Sequence, residues 1–213
     1  VAERLVTEAA KGRQVIIFTH NLLFYNEVAD AAARAHPQVP LAKRNVTKSL
    51  KAGFGLVSEK DEPWTAQKVA ERVTRLRLRA AELAKETDFD TDDYRRRAKD
   101  FYTDLRETWE RLVEEVLLYN TVERFSSDVK TMRLKGVVIE DDDYKKVFWA
   151  MKRVSERSGH DMAVAKNVPI PTPEDMKKDV EELDTYRAAV KKRADKAGKD
   201  REALEKAPGG TVL

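Results

Sequence analysis

Two places in the sequence combine side chains that can do chemistry. The first is Gln14-Val15-Ile16-Ile17-Phe18-Thr19-His20-Asn21, where an imidazole follows a run of β-branched and aromatic residues and precedes a helical pattern. At the carboxyl edge of an open parallel α/β sheet nucleotides bind, and a neutral imidazole there can hydrogen-bond a γ-phosphate or its attacking water. The plain alternative is a loop histidine beside a helix cap. The second place joins Arg111 and Glu115, four residues apart and so on one helix face with Cβ atoms roughly 6 Å apart, to His160 in Ser158-Gly159-His160-Asp161. An Arg, a Glu and a His suffice for metal-free RNA cleavage by attack of the 2′-hydroxyl on the adjacent phosphate. Glu or His serves as base and acid, and Arg stabilises the phosphorane. The plain alternative is a solvated helix face: Glu107 precedes Arg111 by four, the better order for a helix ion pair, and Glu114 competes with Glu115. Arg153, separated from His160 by six residues, is a second-choice partner for the same histidine.

Composition limits what else the chain can do. Its 213 residues suit one large domain or two small ones. Charged residues make up 37%, yet 41 basic against 38 acidic side chains leave only +3. That balance predicts solvated helix faces of mixed sign and excludes a strongly basic sheath. With 0 cysteines, disulfide scaffolds, thiolate zinc sites and thiol catalysis are excluded. With 3 histidines (His20, His36, His160), a His-rich metal site is not expected. No apolar run approaches the 20 or so residues of a membrane span, and no signal peptide is visible, so a cytoplasmic protein is the default. The chain starts at Val1 inside what reads as helix, without an initiator methionine, and so reads as an internal or C-terminal piece of something longer.

The elements that must position these residues follow from periodicity. Residues 1–36 read as helix, strand, helix: Val1, Leu5, Val6 and Ala9 at helical spacing with Gly12 at the C-cap, a strand over 14–19 buried on both faces as in a parallel sheet, then a helix capped by Asn21. The period disappears from His36 to Pro63, where Asn45–Leu50 and Phe54–Glu59 suit a short hairpin. The remainder predicts helices from Thr65 to about Glu86, from about Asp92 to Val122, from Asp141–Asp143 to about Arg157, and from Pro173 to about Lys206. In the second of these, Phe101, Leu105, Trp109, Leu112, Val116 and Tyr119 step by 4, 4, 3, 4 and 3, a bundle or coiled-coil stripe that also suits self-association. In the third, Tyr144, Val147, Phe148 and Met151 are expected to face inward. Gly136–Ile139 suits a strand. Trp64, Trp109 and Trp149 are expected as core or interface anchors.

Basic clusters are the remaining feature. Residues 68–86 hold six basic side chains (Lys68, Arg72, Arg75, Arg77, Arg79, Lys85) and three acidic ones (Glu71, Glu82, Glu86), a net +3. Arg95-Arg96-Arg97 and Lys191-Lys192-Arg193 are smaller. Each can touch RNA phosphates or form a solvated face.

Two resemblances rest on these residues. Residues 1–36 resemble the last part of the nucleotide-binding domain of ABC/SMC/RecF-type ATPases, in which the strand ending in Thr-His carries the switch histidine. That likeness makes His20 the switch histidine, with Thr19 beside it, both toward ATP. The chain departs from the pattern in having no Gly-x-x-x-x-Gly-Lys-Ser/Thr, no Walker B pair and no signature loop, so ATP and Mg²⁺ would be held only by a complete nucleotide-binding domain. Residues from about Pro63 onward look like the C-terminal region of large bacterial ATPases grouped with the PrrC-type and RloC-type anticodon nucleases. The likeness lies in Pro63-Trp64, Trp109-Glu110-Arg111-Leu112-Val113-Glu114-Glu115-Val116-Leu117, Val122-Glu123-Arg124-Phe125, and His160-Asp161 before a Pro-rich connector. It implies Arg111, Glu115 and His160 as a cleavage site that needs no cofactor. The Arg153–His160 spacing is similar to the signature of HEPN-type ribonucleases.

The resulting expectation is an α+β, predominantly helical chain. Residues 1–60 would be the end of a P-loop ABC-type α/β nucleotide-binding domain, and residues 61–213 a mostly helical effector or coupling domain. The function expected is the C-terminal part of an ATPase-controlled antiviral effector, a metal-independent ribonuclease acting on tRNA. The alternative is a non-catalytic helical domain coupling an ABC-type ATPase to a separate effector or nucleic-acid partner. Expected partners are the rest of the ATPase domain or a second copy of it, tRNA or other RNA, and a homo-oligomeric copy, with no membrane.

Overall fold

The computed structural model describes residues 1–49, 53–58, 62–126, 128–159 and 169–205. These are predominantly helical, with one two-stranded sheet among them. The chain divides into two compact units, Val1–Gln67 with Glu123–Val129, and Lys68–Val122 with Lys130–Leu213. No helix among the described residues is long and apolar enough to cross a membrane.

In the first unit, α1 (Ala2–Ala10) and α2 (Leu22–Arg34) bury Ala2, Val6, Val28, Ala31 and Ala32 against each other. Ile17, Phe24, Ala35 and Val39 close this small core. The predicted hairpin forms: β1 (Asn45–Ser49) pairs antiparallel with β2 (Gly53–Ser58), with a register irregularity between Thr47 and Lys48. Its side chains stay in solvent, Phe54 at 87% and Val57 at 63% exposure. Asn26 Nδ2 donates to the Phe125 carbonyl at 3.1 Å, tying the 123–129 excursion to α2.

The second unit is a helical bundle around α4 (Asp92–Leu112). Phe101, Leu105, Trp109 and Leu112 of the predicted stripe are all at 0% exposure. Tyr94, Ala98, Tyr102 and Thr108 extend and widen the same buried face, to an arc of about 120°. This broad face is covered by α3 (Val69–Leu83), α5 (Asp141–Ser158) and α6 (Pro173–Glu205). The stripe is therefore taken up inside the unit.

Directions follow from the side-chain bonds. Tyr94 OH donates to Pro171 O, Tyr102 OH to Asp179, and Tyr119 OH to Asp195, so α6 runs parallel to α4. Arg157 meets Asp179 and Arg193 meets Asp143, so α5 runs antiparallel to α6. At 33 residues, α6 spans about 50 Å at 1.5 Å per residue.

Below Leu112 the helix widens into a π-helical turn over Val113–Leu117, where helix was expected to continue to Val122. Tyr119 and Asn120 then take positive φ, 49° and 54°. Lys130 N–H donates to Thr121 O at 2.8 Å and closes the excursion. Residues Thr131–Gly136 form a 3-10 helix, which corrects the expected strand at its end. Gly136 is required there because a Cβ would lie 2.3 Å from Tyr119 Cδ1.

The expected inward face of α5 is corrected. Tyr144, Phe148 and Trp149 are 67%, 48% and 58% exposed, while Asp143, Ala150, Val154 and Ser158 are buried. Small side chains let α5 approach α4 closely, and Asp143 turns in because it has partners: Tyr186 OH donates to Oδ1 at 2.8 Å and Arg193 Nη2 to Oδ2 at 2.5 Å.

These partners set a pH dependence. Burial works against the Asp143 carboxylate, but Arg193, the Glu140 backbone and Tyr186 outweigh it and hold its pKa below the ordinary value. Glu182 is likewise lowered despite burial, through Lys146 and Arg153. Asp104, raised by burial against the pull of Arg79, works in the other direction. A carboxylate with a depressed folded pKa adds stability above its unfolded value, about 4, and loses it as pH falls through the folded value. Asp143→Asn should lower the urea midpoint at pH 7 and flatten its decline below about pH 4. An acid limb as steep as that of the parent would contradict this assignment.

Candidate functional site

The Thr19-His20-Asn21 corner is built by α2. Asn21 caps that helix, its Oδ1 accepting from Leu23 N–H at 3.0 Å and Phe24 N–H at 3.2 Å. Thr19 Oγ1 accepts from Asn21 N–H at 3.0 Å, which fixes the turn. His20 is exposed at the amino end of α2. The residues before it correct the predicted buried strand: 14–19 form no strand and pair with no strand among the described residues. Val15 and Ile17 are half-buried, whereas Ile16 is 69% and Phe18 87% exposed. The period-2 alternation is that of a strand, and one of its two apolar sides faces solvent. A strand exists only with a hydrogen-bonding neighbour, and among the described residues there is none here.

Arg111 and Glu115 do come together. Arg111 Nη1 donates to Glu114 Oε2 at 3.2 Å, and its Nε stands 3.8 Å from Glu115 Oε2. All three are partly buried, with side-chain exposures of 19%, 12% and 21% for Arg111, Glu114 and Glu115. The π-helical turn at Val113–Leu117 starts two residues after Arg111 and carries both glutamates. The sequence carries no signal for that turn. Glu115 has a second partner: Val69 N–H donates to its Oε2 at 3.0 Å. Val69 opens α3, so this carboxylate satisfies one of the free donors of that helix start, and its charge suits the positive end of the dipole.

His160 lies outside the described residues. Gly159, before it, ends α5 in the left-handed region at φ 76°, and a Cβ there would lie 2.9 Å from Lys99 Cε. Lys99 sits twelve residues before Arg111 on α4, about 18 Å along the helix axis. Arg153 is engaged elsewhere, its Nε 3.1 Å from Asp179 Oδ1 and its Nη2 donating to Glu182 Oε2 at 2.6 Å.

The arginines of the clusters at 68–86 and 95–97 are engaged within the fold. Arg72 is buried and donates to Glu107 O at 3.0 Å. Arg77 donates to Glu181 and Asp184 at 2.7–2.9 Å, and Arg79 pairs with Asp104. In the Arg95-Arg96-Arg97 cluster, each arginine has an acidic partner, Asp90, Asp93 and Glu86 respectively. Of the tryptophans, Trp109 is core, Trp64 half-buried, and Trp149 stands out in solvent with Lys152 Nζ 5.0 Å from its ring centre.

No protein family, curated protein or solved structure matches the chain.

The bond from Val69 can be tested directly. Glu115→Ala should speed amide exchange at Val69 and cost about 1 kcal/mol, the scale of a lost helix cap. Glu114→Ala should leave Val69 exchange unchanged; equal effects would show that Glu115 does not hold the α3 start.

Proposed function

We propose that this chain is the switch and coupling part of an ATP-dependent effector. The observation that carries the reading is the run 14–19, apolar on both sides and paired with no strand among the described residues, ending in exposed Thr19-His20 at the start of α2. A β-branched run with two apolar sides is what an interior strand of a parallel sheet needs, and the positive end of a helix dipole beside an imidazole suits a phosphate. The residues present fit a phosphate-contact role and no more. Thr19 and His20 would face the nucleotide, while the phosphate cradle and Mg²⁺ ligands belong to motifs that this sequence lacks. ATP, bound in a complete domain, supplies the phosphoryl-transfer step. The ion-paired bundle of the second unit suits a rigid body that passes the nucleotide state on. The likeness to the large bacterial ATPases grouped with the PrrC-type and RloC-type anticodon nucleases adds antiviral defence as the setting.

ATP turnover by the protein as isolated from its cells, with any chain that accompanies it, tests this. His20→Ala should cut turnover about 100-fold or more, the scale of a lost acid–base or water-positioning group, with ATP binding retained. Undiminished turnover, or no ATP binding by the parent, overturns the reading.

A second reading, a metal-independent ribonuclease, is favoured by the π-helical turn beside Arg111, since such turns are frequent at functional sites. Arg111 would hold the scissile phosphate and Glu115 would take the 2′-hydroxyl proton. The 2′-oxygen–phosphorus bond forms as the bond to the 5′-oxygen breaks, and His160 protonates that leaving oxygen. Incubated with total tRNA, with and without ATP, the parent should give discrete cleavage that disappears in folded Arg111→Ala and His160→Ala. Cleavage indifferent to both changes removes this reading and leaves the coupling role.

A further inference from the structure

Three lysines of the outer face of α6 form a row. In sequence, Lys191-Lys192-Arg193 looks like one cluster, but the helix divides it. Arg193 turns inward to Asp143, Glu140 and the Val138 carbonyl. Lys191 donates to Asp195 at 3.1 Å. Lys192, with Lys196 and Lys199, points outward, and all three are exposed. None of the three makes a hydrogen bond or ion pair among the described residues.

Their spacing of four and three residues puts them within about 60° of arc and about 10 Å of axis. With Arg187 and Lys191 they line an open, shallow cleft of about 500 Å³. Asp195 also lines it, but its carboxylate already accepts from Lys191 and from Tyr119 OH. Asp200, exposed, stands at the edge of the stripe, about 80° around the helix from Lys192. The opposite side of the same turns is locked: Val190 and Ala194 are each 2% exposed, and Gly198 is buried near Tyr119 and Gly136. The lysines therefore project from a fixed rod, and binding need not order the backbone that carries them.

We propose that this face of α6 binds the phosphodiester backbone of nucleic acid. Unpaired ammonium groups in a row repel each other, and a polyanion relieves that while releasing its own condensed counterions. Lysine is a point charge without the planar fork that reads carboxylates or bases bidentately, so the contact positions a strand without reading sequence. A membrane surface is disfavoured because the stripe is flanked by Ala188 and not by the large apolar side chains that an interfacial helix inserts. The inference is independent of the nucleotide and nuclease readings above.

Fluorescence anisotropy with a labelled DNA duplex and a labelled single-stranded RNA of equal charge, titrated at several salt concentrations, tests it. Each neutralised phosphate contributes about 0.9 to the log–log salt slope on duplex and about 0.7 on single strands. Lys192→Gln/Lys196→Gln/Lys199→Gln should therefore reduce the slope by about 2–3 on whichever nucleic acid the parent binds. Affinity at about 100 mM salt should fall at least tenfold. Lys177→Gln/Lys178→Gln, at exposed lysines near the start of α6, should keep both. Circular dichroism confirms that each variant is folded. The proposal is overturned by an unchanged slope, by equal loss in the control, or by no binding of the parent to either nucleic acid. Tighter binding to poly-glutamate or to anionic vesicles also overturns it.

Discussion

The second unit depends on one buried carboxylate. Asp179 is 5% exposed, on α6, and it accepts from Tyr102 OH of α4 at 2.9 Å and from Arg157 of α5 at 2.7 Å, while Arg153 Nε stands 3.1 Å away. Removing a charge from water costs several kcal/mol unless partners replace the solvent. Here three side chains from two other helices do so, and they can do so in only one relative placement of α4, α5 and α6. Apolar burial alone would hold these helices together but tolerate sliding; the hydrogen bonds to Asp179 select a register. The same site marks its neighbours: burial and the Asp179 charge push the Tyr102 phenol up. Burial works against the Arg157 cation, but Tyr102 and Asp179 outweigh it and hold its pKa above the ordinary value.

A second carboxylate repeats the device one end of the bundle away. Asp143 at the start of α5 takes Tyr186 and Arg193 from α6, and its Oδ2 also accepts from Glu140 N–H at 2.8 Å. Glu115 does the corresponding work between the end of α4 and the start of α3. Opposite charges are thus used between helices more than along them, although exposed pairs contribute little. This accounts for a chain that is 37% charged yet nearly neutral. Its charges are largely matched within the fold, so a row of lysines left unmatched carries more meaning here than it would on a basic protein.

The sequence reading succeeded where size and period agree. The α4 stripe, the α6 start at Pro173 and the 45–58 hairpin were legible because large apolar residues or turn glycines occur at the right intervals. The reading failed where small and charged residues do the packing. The buried face of α5 consists of Asp143, Ala150, Val154 and Ser158, none of which outweighs Tyr144 and Phe148 in a hydrophobic tally, so the aromatic face was taken as inner. The basic run at 68–86 was left open between a surface for phosphates and a solvated face because partners such as Asp104, Glu181 and Asp184 are distant in sequence. At the candidate site, the Arg111–Glu115 proximity was legible from i,i+4 spacing. The partner of Glu115 at Val69, 46 residues away, was not.

The first unit presents the opposite economy of contacts. Its core is two helices and a handful of alanines and valines, and Ile16, Phe18, Phe54 and Val57 lie in water around it. Burying a side chain of this size is worth about 1.5–3 kcal/mol, so four of them exposed together forgo a sum comparable to the whole stability of a small domain. An isolated two-stranded hairpin is marginal for the same reason. Residues 14–19 add backbone groups with no strand partner among the described residues to that apolar exposure, the combination by which a sheet edge recruits another strand. A surface of this kind gains more from association than from any rearrangement open to its own few residues. Since the helix that follows begins at His20-Asn21, whatever strand pairs with 14–19 comes to lie beside that imidazole. On the proposed switch reading, docking of that strand and placement of His20 would be one event.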